Sequence, residues 1–150
     1  MKAEIRRIVL AEDDANDAEL TSLALRSNKL ANEIIRTRDG AETLDYLFSR
    51  GAYEGREPGN PALVLLDLKM PRVDGIEVLR AIKSDPSLRT IPVVVLTSSR
   101  EEPDLKQCYE LGVNAYVVKP VEFAEFVEAV KTLGGFWAFI NQPPSGSQRP

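Results

Sequence analysis

Five short apolar runs recur along this chain, each followed within a few residues by polar or charged side chains. They are Ile8-Val9-Leu10-Ala11, Ile34-Ile35, Leu63-Val64-Leu65-Leu66, Val93-Val94-Val95-Leu96 and Ala115-Tyr116-Val117-Val118. A run that is apolar at every position suits a central strand covered on both faces, because a strand with one wet face alternates. Between the runs the spacing becomes helical. Leu20, Leu23 and Ala24 mark one stripe, and Ala41, Leu44 and Phe48 a second. Gly75, Val78, Leu79 and Ile82 mark a third, and Phe123, Phe126, Val127 and Val130 another. Leu105, Cys108 and Tyr109 mark a shorter helix, which Gly112 is placed to end.

Strand and helix therefore alternate five times. That order predicts an α/β domain: a doubly wound, five-stranded parallel sheet with helices on both faces. Right-handed crossovers leave few topologies, and strand order 2-1-3-4-5 is the one expected. The Gly- and Pro-rich stretch from Arg50 to Pro61 reads as a loop. Residues 5–133 are expected to form the domain. Residues 134–150 are expected to be a C-terminal extension, apolar over 136–140 and flexible beyond.

Composition removes several function classes. The chain of 150 residues carries 19 basic and 23 acidic side chains, a net charge of −4, so it lacks the basic footprint of a nucleic-acid binder. A lone cysteine, Cys108, allows no internal disulfide, which suits a reducing cytoplasm. No stretch approaches the ~20 apolar residues of a membrane span. There is no histidine. Ser-His-Asp and Cys-His catalysis and His-ligated zinc are thereby excluded. No G-x-G-x-x-G or G-x-x-x-x-G-K-[ST] motif offers a nucleotide cradle.

Ligands of open α/β sheets bind at the carboxyl ends of the strands. Here those ends carry Glu12-Asp13-Asp14, Asp67, Thr97-Ser98 and Lys119-Pro120. Several carboxylates in one cleft repel, and a hard divalent cation such as Mg²⁺ relieves that repulsion. A metal beside Asp67, a lysine across the cleft and a hydroxyl on Thr97 would together stabilise phosphoryl transfer to a carboxylate. Asp14 is expected at the start of the first helix, where an acid complements the dipole, and Asp74 is expected to cap the third.

The strings VLAEDD, LVLLDLKMPRVDG, VVVLTSS and AYVVKP resemble the bacterial response-regulator receiver family, over about Ile5 to Leu133. The resemblance implies the flavodoxin-like receiver fold. It implies Asp67 as phosphoacceptor and Glu12, Asp13 and Asp67 as the metal ligands, with the backbone carbonyl of Lys69. It implies Thr97, Ser98 and Lys119 around the phosphoryl group, Tyr116 as a switch aromatic, and a cis Lys119–Pro120 peptide. Side chains at Lys69 and Ser99 would flank the hydrolytic water. With no histidine in the chain, any phosphohistidine must belong to a partner.

A narrower likeness lies in Tyr53-Glu54 of the long loop, the phrase IPVVVLTSS and Phe136-Trp137. These resemble the single-domain regulators paired with bacterial and cyanobacterial phytochromes. That implies a light-regulated sensor histidine kinase as partner and a homodimer, with Phe136, Trp137, Phe139 and Ile140 as candidate contacts. The signal would then pass to a downstream protein target or phosphotransfer protein, with no nucleic acid or membrane involved. Two other readings stand beside this one. A phosphohydrolase with an aspartyl-phosphate intermediate usually carries an acid two residues after its nucleophile, where this chain has Lys69. A pseudo-receiver that works only by binding would not need the complete acid, Thr and Lys set.

Overall fold

The computed structural model describes residues 6–27 and 32–136. Five strands form one parallel sheet: β1 (Arg6–Ala11), β2 (Asn32–Thr37), β3 (Leu63–Leu66), β4 (Val93–Thr97) and β5 (Ala115–Val118). Their order is β2-β1-β3-β4-β5, as the alternation predicts. The helices are α1 (Ala15–Ser27), α2 (Gly40–Leu47), α3 (Gly75–Ser84), α4 (Glu102–Leu111) and α5 (Phe123–Gly135).

The strand side chains divide by parity into two cores. Val9, Ala11, Val64, Leu66, Val93 and Val95 meet α2, α3 and α4 through Leu47, Val78, Leu79, Ile82 and Cys108. Ile8, Leu10, Leu63, Leu65, Val94 and Leu96 meet α1 and α5 through Ala18, Leu25, Phe126 and Val130. Residues 8–11 of β1 and all of β3 and β4 are buried, which is why they read as unbroken apolar runs. β5 is an edge strand, and all four of its residues are only half-buried. Its apolar run suits a strand covered on both faces, but at the edge place that the expected order gives it, it has one neighbour and lacks cover on the outer side.

Several stripe residues lie off the buried face. Leu23 is 55% exposed, and Phe48, Tyr109 and Phe123 also face outward. α1 buries Ala18, Thr21, Ala24 and Leu25 instead, and α2 buries Gly40, Thr43, Tyr46 and Leu47. Of these the sequence stripes include only Ala24, and Gly40 lies so close to the Val73 backbone that a Cβ would run into it.

Local chemistry sets the helix ends. Asp39 caps α2, its Oδ1 accepting from Glu42 N–H at 2.8 Å. Asp74 caps α3 through Glu77 N–H at 3.0 Å. Gly112 ends α4 at φ 99, the left-handed region that suits glycine. Cys108 is fully buried on α4, and burial pushes its thiol up to about 11, consistent with a packing role.

The long α2–β3 loop is tied down. It begins with a 3₁₀ turn, Gly51–Tyr53, and the Tyr53 hydroxyl donates to Glu42 at 2.6 Å. Arg56 lies over the Tyr46 ring at 4.2 Å and donates to the Tyr46 carbonyl at 2.7 Å. Arg7 on β1 donates to the carbonyls of Glu57 and Pro58.

Two junctions bear on the sheet's carboxyl edge. Asp39 forms a fork with Arg72, with bonds of 2.9 and 3.0 Å, and this bond holds its carboxyl below the usual range. Gly75 starts α3 directly against β3: its N–H bonds the Leu68 carbonyl, and a methyl there would run into the Asp67 carbonyl and come within 2.6 Å of the Leu68 Cα. Gly75→Ala is expected to cost about 1–3 kcal/mol in urea unfolding, the usual range for overpacking. The Asp39–Arg72 contribution has a defined pH window. A depressed carboxyl adds stability that is complete above the unfolded value, about pH 4, and lost as pH falls through the folded one. The difference in urea midpoint between the native chain and Asp39→Asn is therefore expected to be constant near neutrality and to shrink below pH about 4.

Candidate functional site

Strands β1 and β3 end side by side, because Ala11 is in register with Leu66. The next residues, Glu12 and Asp67, thus emerge together, and Asp67 N–H bonds the Ala11 carbonyl at 3.0 Å. Carboxylate oxygens of Glu12, Asp13 and Asp67 all lie within 4.8 Å of one another. Glu12 and Asp67 are buried and Asp13 is exposed. Three hard oxygen donors with one side open to solvent fit a divalent cation that keeps some of its water. Among the described residues this is the one group of its kind.

Lys119 emerges from β5 and closes the cluster. Its N–H bonds the Thr97 carbonyl at 2.7 Å. Its ammonium reaches Glu12 at 2.6 Å, Asp17 at 2.8 Å and Asp67 at 3.2 Å. Burial pushes the Glu12 carboxyl up to about 7, against the pull of the Lys119 hydrogen bond and aided by the Asp67 charge. Burial disfavours the Lys119 cation, but its hydrogen bonds to Asp17 and Glu12 outweigh that and hold the ammonium above its ordinary value. The Lys119–Pro120 peptide is trans, contrary to the expectation of a cis bond. Trans is the lower-energy isomer by about 0.5–1 kcal/mol, and the lysine reaches all three carboxylates from it.

The other expected residues surround this centre unevenly. Thr97 is fully buried, and its Oγ1 accepts from Ser99 N–H at 3.3 Å. Ser98 is exposed and lines a cavity of about 320 Å³ with Asp17, Leu20, Lys119, Val121 and Phe123. Tyr116 is half-buried, and its hydroxyl donates to the Ser99 carbonyl at 3.0 Å. Lys69 N–H points at Asp67 Oδ1 from 3.3 Å, while its ammonium leans away toward Asp104 at 3.6 Å. Asp14 caps α1, accepting from Asp17 N–H at 2.9 Å. Phe136 is exposed at the end of α5; Trp137, Phe139 and Ile140 lie outside the described residues.

Sequence reasoning missed three residues here, Asp17, Arg36 and Asp104. Asp17 completes the cage around Lys119 from the first turn of α1. Arg36 donates to the carbonyls of Glu12 and Asp13 at 3.0 and 3.2 Å and pins the acidic turn. Ser99 and Asp104 share a 2.6 Å hydrogen bond that ties the β4–α4 turn to α4. Nothing in the spacing of Arg36 or Asp104 announces these contacts.

Residues 8–131 match the response regulator receiver domain family. The chain belongs to that family, and its sheet order and acidic cleft are those of a receiver. The response regulator Rcp1 of Synechocystis sp. is 40% identical over 130 residues, 87% of this chain and 87% of its own length. The Mn²⁺-bound form of Rcp1 superposes with a TM-score of 0.88 at 38% identity, covering 93% of this chain and 99% of that one. The phosphorylated cyanobacterial phytochrome response regulator RcpA gives a TM-score of 0.89 at 39% identity, with 96% and 100% covered. The bacteriophytochrome response regulator RtBRR is 59% identical, with a TM-score of 0.75 and 95% and 86% covered. The chain is thus a receiver related to phytochrome response regulators. No described helix is long and apolar enough to cross a membrane.

Metal titration separates the two adjacent aspartates. Asp13→Asn is expected to weaken Mg²⁺ binding at least tenfold, about 1.4 kcal/mol, in calorimetric titration. Asp14→Ala is expected to leave that affinity within about twofold and to cost ~1 kcal/mol of stability as a lost helix cap. The reverse pattern would assign the metal to the wrong acid.

Proposed function

We propose that this chain is a response regulator that accepts a phosphoryl group on Asp67 from the phosphohistidine of a sensor histidine kinase, in a phytochrome-type system. The observation that carries this reading is the Asp67 carboxylate itself. It stands 3.2 Å from the Lys119 ammonium and shares a cation-sized cluster with Glu12 and Asp13. The likeness to RcpA, which was solved phosphorylated, and to the bacteriophytochrome regulator RtBRR supports the chemistry and the kind of partner.

Glu12, Asp13, Asp67 and the Lys69 carbonyl would hold Mg²⁺. When bound, that cation neutralises the acids and the phosphoryl oxygens. An Asp67 carboxylate oxygen attacks phosphorus in line. The new O–P bond forms as the P–N bond breaks, and the partner's imidazole leaves with the electron pair. The phosphoryl group adds roughly −1.5 to −2 charges at the sheet edge. Lys119 and the Thr97 hydroxyl then supply donors to its oxygens.

A route outward follows from one short segment. Ser99 N–H holds Thr97 Oγ1, and the Ser99 carbonyl holds the Tyr116 hydroxyl. If Thr97 turns to the phosphoryl group, the Ser99 N–H loses its acceptor and the turn that anchors Tyr116 is loosened. The surface of α4, β5 and α5 changes with it, as a shift between two packings. Tyr109 on α4 and Phe136 at the end of α5 are exposed. The reading includes a homodimer formed through α5 and the residues after it, Phe136, Trp137, Phe139 and Ile140, and a downstream protein target or phosphotransfer protein.

Incubation with acetyl phosphate and Mg²⁺, followed by intact mass measurement, is expected to give one adduct of one phosphoryl mass. Asp67→Asn and a chelator are each expected to abolish it. An adduct that survives Asp67→Asn would place the acceptor elsewhere, and a native chain that takes no phosphoryl group would favour the pseudo-receiver.

A further inference from the structure

An ammonium group has three protons to donate and no spare, and in this protein three carboxylates take them. Glu12 and Asp67 belong to the metal and acceptor cluster. Asp17 does not: it sits in the first turn of α1, outside the Glu12–Asp13–Asp67 group. Yet its bond to Lys119, at 2.8 Å, is shorter than the 3.2 Å bond from Lys119 to Asp67. It is also the most accessible of the three, with 37% of its side chain exposed against 3% for Glu12 and 8% for Asp67.

We propose that Asp17 is a positioning residue that parks Lys119: it takes the third ammonium proton while Asp67 is unmodified and so restrains phosphoryl transfer. This rests on the reading of Asp67 as the phosphoacceptor. A phosphoryl group arriving there needs a donor, and Lys119 can serve it only by releasing a carboxylate. Glu12 makes the shortest bond and is only 3% exposed, so water cannot take the lysine's place there. Asp17 faces solvent, and water can replace the lysine at little cost. The acceptor that Lys119 gives up is therefore Asp17. Lys119 stays oriented without it, because Glu12 and Asp67 still hold the ammonium. Loss of Asp17 thus frees a donor without loosening the site.

The test follows the rate of adduct formation on Asp67 with acetyl phosphate and Mg²⁺; the O–P bond to Asp67 forms as the donor's O–P bond breaks and acetate leaves. Asp17→Asn is expected to raise that rate about two- to fivefold, the scale of a part-exposed ion pair. Asp17→Ser is expected to act alike, and Asp17→Glu to return toward the native rate. In a Lys119→Ala background, Asp17→Asn is expected to change nothing, because its effect runs through the lysine. Melting temperatures of the variants establish that each is folded. An unchanged or slower rate in both Asp17→Asn and Asp17→Ser overturns the parking role while leaving Asp67 as acceptor. Acceleration that persists in the Lys119→Ala background also overturns it, since Asp17 would then act by repelling the anionic donor directly. A native chain that forms no adduct overturns the assignment of Asp67 and this role with it.

Discussion

Four carboxylates, Glu12, Asp13, Asp17 and Asp67, crowd the carboxyl edge of this sheet, and the buried ammonium of Lys119 is the cation that lets three of them approach. Such a grouping is unfavourable by itself. Burial alone moves Glu12 toward its neutral form. Lys119 opposes that drift, and in doing so it links the end of β1, the first turn of α1, the end of β3 and the end of β5. The elements that make the cleft are therefore held together by the same charge that makes the cleft reactive.

The rest of the fold delivers these groups to one place. Parallel strands all present their carboxyl ends at one edge, so residues far apart in the chain meet there. The two cores on either side hold the strands in register, and the register of Ala11 with Leu66 sets Glu12 beside Asp67. Gly75 lets α3 begin against the Asp67 backbone with no side chain between them. Arg36 and the Asp39–Arg72 pair fix the neighbouring turns with hydrogen bonds rather than apolar packing. Loops at a ligand edge can be ordered this way and still leave Asp13 exposed beside the buried Glu12 and Asp67.

Different parts of this arrangement were legible in the sequence to different degrees. The β1, β3 and β4 runs identified buried parallel strands because both faces of those strands are covered. The helix faces were less legible. Spacing takes Leu23, Phe48 and Phe123 for core because they are large and apolar, and it passes over Ala18, Thr21, Leu25, Tyr46 and Leu47, which are buried. The β5 run suits a strand covered on both faces, yet β5 takes the edge place that the expected order gives it and is only half-buried, because residue type alone does not report cover.

The sequence by itself determined the fold class and the strand order, and it named Glu12, Asp13, Asp67, Thr97 and Lys119 as candidates at the strand ends. It could do so because in a parallel α/β sheet the residue after each strand is the residue at the cleft, so position in the motif is position in space. Only the tertiary structure decided how the charges are shared. That Lys119 divides its protons among three acids, that Asp17 is one of them, and that Lys69 leans to Asp104 are outcomes of distance and solvent access. They depend on packing between α1, β3 and β5, which local spacing does not encode.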